Sequence, residues 1–246
     1  MPCSICSLRS AVALKLPNLL HCRMLKEILH FLRNGPQLAR LQRRLDRAGL
    51  AQEIVARGNA AGFAEQRRAL VGDLSGKVLD IGCGTGALFR FYRPDAEVQA
   101  VEPDADFRRL ACSNAAPFEH VHVTAGDAMN LAFADASFDA VVFSNVLCSV
   151  PSVEHAVAEA CRALRPGGAL RLMEHVRSDG PVAGALMDLF NPLWLRLNRQ
   201  GCNMNRQPLP FLKRRNLVIE HLEPFQIFSS GPPPFQCQRI HARKPA

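Results

Sequence analysis

From Lys77 onward, short apolar runs alternate with stretches whose apolar residues recur at helical spacing. Val78–Ile81, Val98–Glu102, Val121–Thr124, Phe138–Phe143 and Ala169–Glu174 read as five successive strands. Between the fourth and fifth, Val153, Val157, Ala160 and Leu164 form the inward face of a helix from about Val153 to Leu164. Ser152 is placed to cap it, and Glu154 lies in its first turn, where a negative charge suits the helix dipole. Arg165-Pro166-Gly167-Gly168 ends it, because proline and glycine do not propagate a helix. Strands separated by helices imply parallel pairing with right-handed crossovers, hence an α/β fold. Further on, Pro181–Gln207 reads as a helical or looped insertion with the only tryptophan, Trp194. Leu217–His221 and Cys237–His241 are two more candidate strands at one sheet edge.

The region before Lys77 has a different texture. Residues 1–20 look loosely structured. In 21–70, Leu25, Ile28, Leu29 and Leu32 recur at helical spacing, as do Leu38, Leu41 and Leu45 after the Asn34-Gly35-Pro36 break. Arg and Lys alternate with these stripes. The expected organisation is a basic helical extension over residues 1–68 and a main domain over 69–246. The extension either covers the sheet or the active-site mouth, or attaches peripherally to a lipid surface.

Charge follows this division. Residues 1–68 hold 12 Lys/Arg against 4 Asp/Glu, whereas 69–246 hold 18 against 18, so the formal net charge of +8 belongs to the extension. A basic surface can attract RNA, anionic lipid or an acidic partner. With 48% hydrophobic and 21% charged residues, the chain can build a substantial core without metals or disulfides. The nine cysteines, Cys3, Cys6, Cys22, Cys83, Cys112, Cys148, Cys161, Cys202 and Cys237, cannot all pair within one chain. Several sit in apolar runs, which fits a reducing compartment and a cytoplasmic location. The first twenty residues lack the layout of a signal peptide, and no run approaches the roughly 20 apolar residues of a membrane span. Cys3-x-x-Cys6 has metal spacing, but with Cys22 and His21 it gives no coherent four-ligand pattern, so no metal site is assigned.

Three motifs carry the chemistry. The sharpest is Asp80-Ile81-Gly82-Cys83-Gly84-Thr85-Gly86, which follows the first strand and is expected to open a helix. Glycines at 82, 84 and 86 allow a tight turn and close approach to a ligand. A charge at Asp80, at the end of a buried strand, needs donors, and a ligand's ammonium group would be one. Second is Glu102, 22 residues beyond Asp80 at the end of the second strand, placed to accept both hydroxyls of a ribose. Third is Gly126-Asp127-Ala128, where Asp127 can accept from an adenine amino group while Ala128 and Met129 flank the ring. The glycine turn alone leaves a dinucleotide open, since Ala87 can close the G-x-G-x-x-A pattern. Gly86, Asp80 and Gly126–Asp127 together favour S-adenosylmethionine.

With Ser137-Phe138-Asp139-Ala140-Val141-Val142 and Leu164–Gly168, these motifs resemble the class I S-adenosylmethionine-dependent methyltransferases over roughly residues 70–175. The resemblance implies a Rossmann-like seven-stranded sheet with its last strand antiparallel, Asp80 near the methionine part, Glu102 on the ribose and Asp127 at the adenine. Val146-Leu147-Cys148-Ser149-Val150, Glu174-His175-Val176 and Gly201-Cys202 are similar more closely to small lipid-associated proteins that methylate alkyl thiols, although their long apolar anchor has no counterpart here.

Methyl transfer needs an acceptor lone pair held in line behind an activated carbon, and no metal or covalent intermediate. His175, after the fifth strand, is the candidate general base or substrate orienter, with Glu174 orienting it or touching substrate. Asn145 and Cys148 are expected to line the cofactor or acceptor side, and Phe190, Trp194 and Leu197 to form an apolar acceptor wall. The expected activity is methylation of a small apolar acceptor such as a thiol. RNA, quinone-precursor or phospholipid methylation, and cofactor binding without turnover, are the alternatives.

Overall fold

A computed structural model of the chain describes residues 46–198, 201–226 and 236–246. The stripes through Leu25–Leu45, and with them most of the basic extension, lie outside the described residues.

The chain enters through α1 (Arg47–Gly58), capped by Asp46, whose carboxylate accepts the Gly49 N–H. A π turn (Asn59–Phe63) leads into α2 (Ala64–Val71), which buries Arg67, Leu70 and Val71. Then follow β1 (Gly76–Ile81), β2 (Ala96–Val101), α3 (Ala105–Ala115), β3 (Val121–Thr124) and β4 (Phe138–Ser144). The second half contains α4 (Val153–Ala163), β5 (Leu164–Val176), α5 (Pro181–Leu197), α6 (Leu209–Arg214), β6 (Val218–Gln226) and β7 (Gln236–Arg243). The seven strands form one sheet ordered β3-β2-β1-β4-β5-β7-β6, and β7 runs antiparallel to both neighbours. The expected Rossmann-like architecture is present.

Side-chain alternation divides the core between the two faces of the sheet. Leu79, Ile81, Val141, Phe143, Leu170 and Leu172 pack with α4 and α6. Val78, Val98, Ala140, Val142 and Met173 pack with Leu70 and Val71 of α2 and with Phe89, Phe91 and Tyr92. Such doubly buried strands are what a parallel sheet demands. The capping of α4 is as expected: Ser152 Oγ accepts the His155 N–H at 3.2 Å.

One local expectation fails, and one strand is longer than expected. No helix follows the glycine turn; the chain makes turns and a single 3-10 segment, Phe89–Phe91. Gly82, Gly84 and Gly86 all have left-handed φ (66°, 59° and 85°), which a right-handed helix cannot incorporate, and Pro94 stops any later one. The Arg165–Gly168 segment ends α4 but is also part of β5, as an irregularity between the Phe138–Leu164 and Ala140–Ala169 pairs.

The long β3–β4 connection is fixed by Arg162 of α4. Its guanidinium donates to the carbonyls of Leu131 (2.9 Å) and Phe133 (2.7 Å) and pairs with Glu159 and Asp135. Glu159 in turn accepts the Leu131 N–H. No helix among the described residues is long and apolar enough to cross a membrane. Replacing Arg162 removes the donor to two carbonyls and the partner of Glu159 and Asp135, so Arg162→Ala is expected to lower the unfolding free energy by about 2 kcal/mol in urea titration. A loss below about 0.5 kcal/mol would contradict the anchoring role.

Candidate active site

The sequence-predicted residues gather at the carboxyl ends of β1, β2, β3, β4 and β5. Val101, the last residue of β2, draws the first three together. Its carbonyl accepts the N–H groups of Gly82 (2.8 Å) and Cys83 (3.1 Å), and Gly126 packs so closely that a Cβ there would lie 2.9 Å from Val101 Cβ. Glu102 N donates to Thr124 O at 3.1 Å, which ties the β2 and β3 ends.

Asp80 is the penultimate residue of β1 and only 1% exposed. Neither carboxylate oxygen has a hydrogen-bond partner among the described residues. The Tyr92 hydroxyl, likewise outside hydrogen-bond geometry, stands near enough to offset part of the burial effect. Desolvation dominates, Glu102 adds to it, and the Asp80 pKa is pushed up to about 7.

The glycine turn combines closed packing with an opening. A side chain at Gly82 would meet Val146, and one at Gly86 would meet the Phe89 ring at 2.4 Å. At Gly84 a Cβ would meet nothing within 4 Å. The turn is braced by Glu102, 7% exposed, whose Oε2 accepts the Gly84 N–H (2.9 Å) and Oε1 the Asp104 N–H (3.0 Å). Burial raises its pKa, and those two backbone bonds oppose the shift. Each oxygen retains a further acceptor site. Cys83 is buried, its thiol pKa raised chiefly by desolvation. Asp127 is exposed and uses Oδ1 to accept the Met129 N–H at 2.9 Å, while Ala128 beside it is buried.

An orphaned acid, a vacant approach at Gly84 and a braced acceptor pair fit S-adenosylmethionine. Its ammonium would suit Asp80 and its ribose hydroxyls Glu102.

A second group forms where β5 outreaches β4. Ser144, the last residue of β4, pairs with Met173, so Glu174 and His175 extend beyond it. Asn145, exposed and at left-handed φ (58°), turns the chain over this end while its N–H donates to Met173 O. The N–H groups of Val146 (2.8 Å) and Leu147 (3.1 Å) then converge on Glu174 Oε1. Glu174 is 1% exposed, and burial drives its pKa up to about 7 against those backbone bonds.

His175 meets two thiols. Its Nε2 contacts Cys202 Sγ, and one ring nitrogen and the Sγ atoms of Cys148 and Cys202 all lie within 4.8 Å of one another. Burial pulls the imidazole pKa down, but Cys148 and Glu174 outweigh it and leave it raised. Cys148 is buried, and its neighbour Cys202 together with desolvation holds its thiol well above the ordinary value. The Cys202 loop is pinned down: Asn203 donates twice to Cys148 O (2.9 Å each), Arg206 donates to Val150 O, and Arg177 N donates to Arg206 O.

The expected acceptor wall is less concentrated. On α5, Phe190 is 51% exposed and Trp194 partly buried; the Leu197 side chain lies outside the described ones. Tyr92 and the juxtaposition of Cys202 with His175 were not legible in any motif, because neither belongs to a spacing pattern.

Residues 79–172 match the family model described as a methyltransferase domain. The human thiol S-methyltransferase TMT1A is 36% identical over 178 residues, 65% of this chain and 72% of that protein. The demethylmenaquinone methyltransferase of Staphylococcus aureus (strain JH9) is 34% identical over 118 residues, 46% of this chain and 49% of its own length. Among solved structures, the [4+2]-cyclase SpnF superposes with a TM-score of 0.61 at 20% identity, covering 76% of this chain and 81% of SpnF. That likeness is one of fold.

Two measurements test the adenosyl seat. An ammonium beside Asp80 favours the ionised acid, so binding must expel a proton wherever Asp80 is protonated. Calorimetry with S-adenosylhomocysteine is expected to show several-fold weaker binding near pH 6 than near pH 7.5, with proton release at the lower pH. The same raised pKa makes this group's contribution to folding stability present below its unfolded value and lost as pH rises through about 7. Affinity that does not change across this range would exclude Asp80 from the seat. Glu102→Gln keeps an acceptor for the Gly84 N–H but removes the charge, so affinity should fall about tenfold with little change in thermal unfolding. Equal affinity in variant and parent would remove Glu102 from the ribose.

Proposed function

Since this chain belongs to the class I S-adenosylmethionine-dependent methyltransferases, we propose that its acceptor is a small apolar thiol. S-adenosylmethionine supplies a methyl group already activated on a positively charged sulfur. The observation that carries the proposal is a convergence in space. Val146–Val150, Glu174–Val176 and Gly201–Cys202, the stretches similar to thiol-methylating proteins, are distant in sequence and meet beside the glycine turn. The relationship to human TMT1A, named for thiol S-methylation, supports the same acceptor.

Each residue then has a role. Asp80 takes the ammonium, Glu102 the ribose and Asp127 the adenine, with Ala128 and Asn145 flanking the cofactor. Glu174 is a positioning residue: by accepting the Val146 and Leu147 N–H groups it fixes the post-β4 loop that carries Cys148 and packs Val146 against Gly82. His175 orients the acceptor rather than acting as a free base, because its Nε2 already faces Cys202. The thiol must give up its proton to become the stronger nucleophile, and an environment that favours the thiolate lowers the barrier. The reading extends to a cytoplasmic location, with the basic N-terminal segment in peripheral contact with lipid, where apolar thiols partition.

Labelled methyl from S-adenosylmethionine, offered a panel of alkyl thiols, phenols and lipid precursors, is expected on the thiols as thioethers. Transfer to phenols alone, or to none of the panel, would overturn the thiol assignment. His175→Ala should reduce turnover roughly a hundredfold while S-adenosylhomocysteine affinity stays near the parent value. An undiminished rate would dismiss its orienting role.

A further inference from the structure

Cys148, His175 and Cys202 come from the loop after β4, the end of β5 and the loop after α5. Nothing in their spacing of 27 residues each marks them as a set. Yet two sulfurs and a ring nitrogen, each a ligand atom for a soft or borderline cation, lie within 4.8 Å of one another. In a tetrahedral zinc site, bonds of about 2.3 Å to sulfur and about 2.0 Å to nitrogen put the ligand atoms roughly 3.5–3.8 Å apart. The cluster reaches that arrangement if the Cys202 Sγ to His175 Nε2 edge, 2.5 Å long, opens by about 1 Å and any edge near the 4.8 Å limit closes by about as much.

The supports around the three side chains are those of a fixed site. Cys148 is held through its carbonyl by the two Asn203 bonds, and its Sγ approaches Asn145 O (3.5 Å) and Ser149 Oγ (3.4 Å). Cys202 is clasped by Asn198, whose Oδ1 accepts the Cys202 N–H at 3.0 Å and whose Nδ2 donates to Cys202 O at 2.8 Å. His175 is fixed by the sheet, paired with Cys237 of β7. Hydrogen bonds around the ligating residues orient them in metal sites. Burial is graded as well: Cys148 and His175 are buried, at 1% and 8% exposed, while Cys202 is half-buried and forms the accessible corner.

The geometry points to a zinc site formed by Cys148, His175 and Cys202, whose open fourth position takes the acceptor thiol as its thiolate. Two thiolates and one neutral imidazole match Zn²⁺ in charge and softness, and three protein ligands with one position left open is the pattern of a catalytic site. This deepens the thiol reading and, for the fourth ligand, rests on it. On binding, the acceptor R–SH gives its proton to solvent, as coordination favours the thiolate. A sulfur lone pair forms the new bond to the methyl carbon. The bond from that carbon to the sulfonium breaks, and its electron pair stays on the departing sulfur, which becomes a neutral thioether. The product R–S–CH₃ is also a neutral thioether, a poorer zinc ligand than a thiolate, and leaves.

The test uses the full chain, purified under reducing conditions without chelator. Elemental analysis is expected to give one zinc per chain. Replacing zinc with Co²⁺ should give the visible bands of a tetrahedral site and a thiolate-to-cobalt charge-transfer band in the near ultraviolet. Cys202→Ser and Cys148→Ser should each weaken Zn²⁺ binding roughly a hundredfold or more, with S-adenosylhomocysteine affinity kept as the check on folding. An added alkyl thiol should alter the charge-transfer band in the parent protein. A folded, reduced chain that binds no Zn²⁺, or serine variants that bind it as tightly as the parent, would overturn the site. So would a Cys148–Cys202 disulfide formed in place of metal binding. The two readings fail separately: thiol methylation by metal-free protein removes zinc but keeps the thiol acceptor. A cobalt spectrum that no thiol perturbs, without thiol turnover, keeps the ion and removes both the thiol and the fourth-ligand assignment.

Discussion

A carboxylate sealed inside a sheet is a costly thing to keep, and Asp80 is such a group. Its strand neighbours are fully buried hydrophobes, its face of the sheet is filled by Phe89, Phe91 and Tyr92, and burial has raised its pKa to about 7. Folding cannot relieve it by exposing it, because β1 has strands on both sides. The ammonium of a bound S-adenosylmethionine would supply a counter-charge to it. The glycine turn that follows has left-handed backbone where an ordinary residue would be strained and free space at Gly84.

Two other acids share one architectural task. Glu102 accepts N–H groups from Gly84 and Asp104, and Glu174 accepts them from Val146 and Leu147. Each lies at or just past the end of a parallel strand and fixes the backbone of a neighbouring loop. Helix dipoles contribute little at the first loop, since the turn leads into a short 3-10 segment. Carboxylates therefore supply the organisation that a helix start provides in a dinucleotide fold. A charged group that braces a loop and retains acceptor capacity can position backbone and ligand together.

What was legible in the sequence was local. The strands around Val78, Val98, Val121, Phe138 and Ala169 are contiguous apolar runs, and Ser152 with Glu154 announces α4 within three residues. Asp80, Glu102 and Gly126–Asp127 were readable because each immediately follows or ends a strand, so sequence position fixes their place in space. The helix expected after Gly86 was misread because the same glycines that signal close ligand approach also break helical φ. The grouping of Cys148, His175 and Cys202 could not be read, since it depends on how far β5 projects past β4 and on an insertion folding back through Asn203 and Arg206. Cys3 and Cys6 are near one another in sequence, whereas Cys148, His175 and Cys202 are adjacent only in three dimensions.

The reversed strand β7 has a consequence for synthesis. It is wedged between β5 and β6, pairing with Ala169–Val176 on one side and Val218–Gln226 on the other. During translation, β5 is made some sixty residues before the segment that covers its flank, so Glu174 and His175 emerge from the ribosome on an open sheet margin. That margin is also a template for pairing with other nascent chains until residues 236–243 arrive. Pairing of the end of β5 is thereby coupled to synthesis of Gln236–Arg243, and a chain interrupted before Gln236 leaves Glu174 and His175 on an unfinished edge.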